Sequence, residues 1–244
     1  MNDSPTHPNR RAALLAGFIP VLLLIPFANK AWNIDDTVYL RVAEQILESP
    51  LDFYGFEMNW QREPQFVYEF NQNPPGISYY IAAVALVFGF NEIPLHLSFL
   101  VPTFFAGLGA YRLALRFTDR PLFAALAGSL TPAFLVSNAN IMCEPFVAAF
   151  YTWALALWIE GTDDNVRRKL VLAALCAGLG ILCKYIVVTA IPLMAAYTVL
   201  NRAARKSALA WLAIPVAILF AYDAYAYFSY GVSLFFGAAG FASA

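Results

Sequence analysis

Apolar residues fall into seven long blocks, at 12–29, 94–115, 121–138, 145–159, 170–183, 185–200 and 207–228, with a shorter one at 77–90. Each long block approaches the roughly twenty residues that a helix needs to cross a bilayer. The block at 77–90 is near 21 Å long as a helix, which is short for a span. Between the first block and 77–90 lies a polar, aromatic-rich stretch. It opens with Trp32-Asn33-Ile34-Asp35-Asp36-Thr37-Val38-Tyr39. After the two acids, Tyr39, Val42, Ala43, Ile46 and Leu47 recur at helical spacing and predict one amphipathic helix. Asp35 is then its expected N-cap, with Asp36 in the first turn. Asn73-Pro74-Pro75-Gly76 punctuates the end of the stretch, because paired prolines break a helix and force extended backbone before them.

Composition turns these blocks into membrane spans. The chain is 61% hydrophobic and 13% charged, against roughly 45–50% and 25% in soluble domains. A net charge of -1 leaves no footprint for nucleic acid. Cys143, Cys176 and Cys183 form no metal-ligand spacing and read as small apolar helix residues. Two histidines, one of them His7 in the polar leader, make a histidine-based metal site a poor reading of this chain.

Basic residues give the topology. Arg10 and Arg11 precede the first block. Arg112, Arg116 and Arg120 form one later cluster, Arg167, Arg168 and Lys169 a second, and Arg202, Arg205 and Lys206 a third. The positive-inside rule asks for all of them on the cytoplasmic side. That holds only if 77–90 does not cross. The expectation is an all-α polytopic membrane protein with about seven transmembrane helices, and two interfacial helices in the first outer loop. Residues 1–11 form a cytoplasmic leader, 12–228 the transmembrane module with outer loop 30–93, and 229–244 an outer-face segment expected to continue in a longer enzyme. The run 170–200 becomes a hairpin turning at Cys183-Lys184. Asp35, Asp36, Glu144 and Lys184 then all fall on the outer side.

Each of these residues has a plain structural reading. Lys184 can snorkel to lipid phosphates, Glu144 before Pro145 suits a first helical turn, and Tyr79 and Tyr80 suit an aromatic belt. A chemical reading is also open, since a carboxylate can deprotonate an attacking hydroxyl and an ammonium can meet charge developing on a leaving phosphate.

The order Asp35-Asp36-x-x-Tyr39, Asn73-Pro74-Pro75, Cys143-Glu144-Pro145 and Cys183-Lys184 resembles the GT-C glycosyltransferases, with protein O-mannosyltransferases and lipid A aminoarabinose transferases as the nearest groups. The resemblance implies transfer of a sugar from a polyprenyl-phosphate carrier to a lipid, glycan or protein hydroxyl, on the outer face of a bacterial plasma membrane. It implies Asp35, Asp36 and Glu144 as catalytic carboxylates, and Lys184, Asn73, Tyr39 and Arg62 as donor-phosphate or substrate contacts. The resemblance fixes no cofactor, and a divalent metal shared by Asp35 and Glu144 stays open. The chain departs from the family pattern at Asn73, where many relatives carry Lys, and at Asp36, where the family's usual pair is Asp-Glu. A secondary transporter, or a non-catalytic module that binds lipid carriers, are the competing readings. No repeated halves of the transporter kind are visible.

Overall fold

The computed structural model describes residues 9–60, 62–201 and 204–243, so His7 and Arg202 lie outside the described residues. Helix α1 (Arg10–Leu24) starts under Asn9, whose side chain accepts from the Arg11 and Ala12 amides. A 3-10 turn, Ile25–Phe27, extends it. Then come α2 (Asp36–Glu48), a small antiparallel hairpin of β1 (Glu57–Asn59) and β2 (Pro64–Phe66), and the one-turn α3 (Val67–Phe70). The hairpin corrects the all-α expectation, although the chain is otherwise helical. Next are α4 (Gly76–Phe88), α5 (Glu92–Ala114), α6 (Pro121–Ser129), α7 (Pro132–Asn138) and α8 (Glu144–Asp163). The chain continues through α9 (Arg167–Ile181), a 3-10 segment Tyr185–Thr189, and α10 (Ala190–Leu200). A second 3-10 segment, Lys206–Leu212, leads into α11 (Ala213–Tyr230) and α12 (Leu234–Ser243).

Among the described residues, three helical stretches are long and apolar enough to cross a membrane: Arg10–Phe27, Glu92–Ala114 and Lys206–Tyr230. The pair α6 and α7, bent by 63° at Leu130–Thr131, would make a fourth. The other expected spans are present as helices but are shorter or less apolar than a lone crossing requires.

Small residues set how closely these helices pack. A Cβ on Gly107 of α5 would stand 2.1 Å from the Ala16 carbonyl oxygen of α1, so the two backbones touch there, as small-residue crossings in membranes allow. Trp158 of α8 is fully buried, and its indole N–H donates to the Met194 carbonyl at 2.8 Å and to Thr198 Oγ1 at 2.9 Å. With both partners supplied by α10, the polar end of a large apolar ring carries no desolvation penalty.

The polar contacts sort to two ends of the bundle. At one end Arg112 grips Glu160 with two parallel bonds of 2.6 and 2.7 Å. Lys169 bridges Glu160 and Asp164, Arg116 meets Asp163, and Lys206 donates to the Thr198, Val199 and Asn201 carbonyls. The Asn9 amide donates to the Tyr111 hydroxyl, bringing the start of α1 there as well. At the other end gather Trp32, Asp36, Ile141, Glu144, Leu182 and Lys184. Helix α4 starts at this second end, where the Gly76 amide donates to the Leu182 carbonyl at 2.8 Å. After Phe88 the chain turns at Gly89, with φ of 69°, into α5, whose His96 stacks on Trp32. Both ends of α4 therefore belong to the same end of the bundle.

Candidate functional site at the carboxylate end

The two adjacent acids occupy opposite environments. Asp35 takes the N-cap position of α2, but its own backbone is helical and its side chain makes no cap bond. It is exposed and faces a cavity. Asp36 is fully buried. Its carboxylate accepts the Asn33 amide at 2.8 Å and the Ile141 amide at 3.0 Å, clamping the α1–α2 loop to the α7–α8 loop. Burial raises the Asp36 pKa above the usual carboxylate value, although both amides and the Lys30 charge oppose that rise. The structure thus places Asp36, expected in the chemistry, buried outside the cavity lining and bonded to two backbone amides. One residue along a helix start turns the side chain by about 100°, which separates the two acids, and the Ile141 amide holds Asp36 on the inner side.

Helix α2 is rotated from the expected face. Val38, Leu40, Val42, Ala43 and Ile46 are buried, while Leu47 is exposed and Tyr39 only half-buried. That rotation points Tyr39 into the cavity, where its hydroxyl lies 3.7 Å from Cys143 Sγ. Burial, with the Cys143 thiol and the Glu144 charge beside it, raises the Tyr39 phenol far above its ordinary value, so it is a neutral donor.

Glu144 opens α8, where the helix dipole favours it, and accepts from Lys184 Nζ at 2.7 Å across forty residues of sequence. Lys184 stands in the break between α9 and the segment Tyr185–Thr189, with extended backbone. Burial alone would lower its pKa. The Cys143 thiol and the Glu144 carboxylate outweigh that effect and raise it. Lys184 is therefore a firm cation.

Two cavities meet at Lys184. The smaller, of about 280 Å³, is lined by Asp35, Tyr39, Trp60, Asn71, Asn73 and Lys184, among others. The larger, of about 640 Å³, shares Phe70, Asn71, Asn73 and Lys184 with it. It extends past Gln72, Tyr185 and Ile186 to Ala238 of α12. Asn73 is held in this wall by Tyr54, whose buried hydroxyl donates to the Asn73 carbonyl. Arg62 is not brought in. It sits exposed in the β1–β2 turn at a φ of 90°, a backbone region unfavourable to side chains, and lines neither cavity.

Among the described residues, no three His, Cys, Asp or Glu side chains converge on a point that could hold a metal ion. Glu144 is committed to Lys184, whose charge opposes a divalent cation there. The donor set does not fit a metal shared by Asp35 and Glu144.

Several residues of the site had not been singled out in the sequence. Trp60 and Phe70, stacked with centroids 6.3 Å apart, supply the smaller cavity's aromatic wall. Lys30 donates to Asn140 beside the Asp36 clamp. Asp223 is a buried acid in α11 that accepts from the Ser233 hydroxyl and the Phe235 amide, so it caps α12. A lone acid inside the apolar block 207–228 was the available signal for it.

Membrane-length apolar helices and a carboxylate–ammonium pair beside two joined cavities describe an integral membrane protein with a polar site at one end of its bundle. The family model for dolichyl-phosphate-mannose-protein mannosyltransferases matches residues 72–225, and the chain belongs to that family, within the GT-C superfamily. The match contains Asn73, Glu144 and Lys184, while Asp35, Asp36 and Tyr39 precede it. No curated protein and no solved structure matches the chain.

Proposed function

We propose that this membrane glycosyltransferase moves a sugar from a polyprenyl-phosphate carrier to an acceptor hydroxyl, at the end of the bundle that holds Asp35 and Lys184. The observation that carries the reading is the pair of joined cavities, with a free carboxylate in the smaller one and a paired ammonium at their junction. The carrier phosphate would sit at Lys184 and Asn73, with its chain leaving through the larger cavity past Ile186. The sugar would rest in the smaller cavity against Trp60. The acceptor oxygen attacks the anomeric carbon as Asp35 takes its proton. The bond from that carbon to the phosphate oxygen breaks, and the electron pair leaves with the polyprenyl phosphate, whose new charge Lys184 meets. Glu144 fixes the direction of the Lys184 ammonium, and Asp36 fixes the loop that carries Asp35.

The seven-span, N-in arrangement with α2 and α4 in the outer interface is part of the same proposal. It is supported by the gathering of Arg112, Arg116, Lys169 and Lys206 at one end, and by α4 beginning and ending at the other. The acceptor is a protein, glycan or lipid hydroxyl. The test is radiolabelled polyprenyl-phosphate mannose added to the protein in lipid nanodiscs, with and without acceptor peptide or glycolipid. Donor binding together with Asp35-dependent loss of label from the carrier is expected. Failure to bind donor, or identical label loss in wild type and Asp35→Asn, overturns the proposal.

A further inference from the structure

The end of the bundle opposite to the transfer site carries a second polar cavity. It has a volume of about 320 Å³ and lies between the start of α9 and the segment Lys206–Leu212, lined by Asn165, Arg167, Leu170, Arg205, Ser207 and Trp211, among others. We propose that this groove binds the phosphate of an anionic lipid headgroup in the leaflet at the cation-rich end.

Three observations carry the assignment. First, the three acids on α8 and just after it, Glu160, Asp163 and Asp164, are already engaged. Glu160 takes Arg112 and Lys169, Asp163 takes Arg116, Tyr197 and Asn201, and Asp164 takes Lys169. Arg167 and Arg205 face the cavity instead. Second, Arg167 is oriented, its guanidinium lying 4.6 Å above the Trp211 ring. A stacked guanidinium loses less freedom when it grips an anion and can offer two parallel donors to phosphate. Ser207 and Asn165 add neutral donors from either side of the groove.

Third, the place suits a lipid better than a soluble anion. The groove lies where the apolar stretch Lys206–Tyr230 begins, at the depth where Trp and basic side chains meet headgroups. From the same end of α9, the exposed Leu172, Leu175 and Leu179 run as a stripe that acyl chains can cover.

The test is native mass spectrometry of the purified protein after exchange into phosphatidylcholine containing phosphatidylglycerol. Wild type is expected to retain one phosphatidylglycerol that R167A/R205A holds at least about tenfold more weakly, given the attraction of two basic residues near an anionic surface. R10A/R11A, which removes the same charge from the exposed start of α1, is expected to retain the lipid. Equal loss in both pairs would reduce the groove to diffuse charge and overturn the site. Displacement of the lipid by millimolar inorganic phosphate would overturn the headgroup assignment in favour of a soluble anion, and its persistence supports the lipid. Should R167A/R205A not fold, R167K/R205K keeps the charge but loses the stacked fork. Weakened retention in that variant supports the site, and wild-type retention overturns it.

Discussion

Lys184 Nζ and Glu144 Oε1 meet at 2.7 Å, joining the break after α9 to the first turn of α8. Their side chains are 36% and 30% exposed, so solvent screens the pair and its net stabilisation is small. A double-mutant cycle on thermal unfolding should give a coupling of about 1 kcal/mol or less. Function should show more. Lys184→Met should weaken donor binding by about tenfold or more, with Lys184→Arg intermediate, because one charge-assisted contact to phosphate is worth roughly 1.5–3 kcal/mol. Equal donor affinity in the Lys184→Met variant and the wild-type protein would leave Lys184 as a structural cation only.

Asp35 and Asp36 should separate cleanly by the same substitution. Asp35 makes no cap bond, so Asp35→Asn should leave the unfolding temperature unchanged while lowering turnover roughly 10²–10⁴-fold. Asp36→Asn turns an amide group toward one of two backbone N–H donors and should cost about 1–3 kcal/mol of stability. The reverse pattern, in calorimetry and single-turnover assays run side by side, would exchange the two roles.

The acids were visible in sequence because they directly follow an apolar block, and the helices were visible because a backbone in hydrocarbon must pair within its own segment. Which of the two acids faces the cavity was not visible. That depends on the Ile141 amide, 105 residues away. The turn role of Arg62 was equally hidden, since strands of three residues are too short to show a two-residue period. Leu47 misled for a related reason, as helical spacing gives a stripe but not its edges. Lys184 and Glu144 were each visible, and their direct contact was a property of how α8 packs on α9.

Topology is tested by single cysteines at positions 92 and 118 in a background free of native cysteines. An impermeant thiol reagent added outside should modify 92 and not 118. The opposite pattern would invert the bundle, with its N-terminus outside, and carry the cavity that holds Asp35 and Lys184 to the other face.

Cys143 supplies the pH test. Burial, reinforced by the Glu144 charge, pushes its thiol up to about 11. A raised folded value favours the neutral form, so the stability it contributes is fully present below the unfolded pKa near 9 and is lost as pH rises through about 11. At pH 8 only about one thiol in a thousand is thiolate. In a chain whose other cysteines are replaced, iodoacetamide should therefore leave folded Cys143 unmodified at pH 8, and urea should expose it. Rapid alkylation of the folded protein at that pH would contradict this account of its surroundings.

The Gly76 amide on the Leu182 carbonyl has a different kind of consequence. A Cβ at position 76 would stand 2.4 Å from that oxygen, so main chain meets main chain with no room for a side chain. Asn73 and Lys184, which share both cavity walls, hang from the two sides of that contact by two or three residues each. The spacing between them is thus indifferent to what either side chain is. Position 73 could exchange asparagine for lysine, and the frame would stay the same while its charge changed. The charge on the cavity wall at position 73 can therefore change without moving the wall, whereas any side chain added at Gly76 would push the two walls apart.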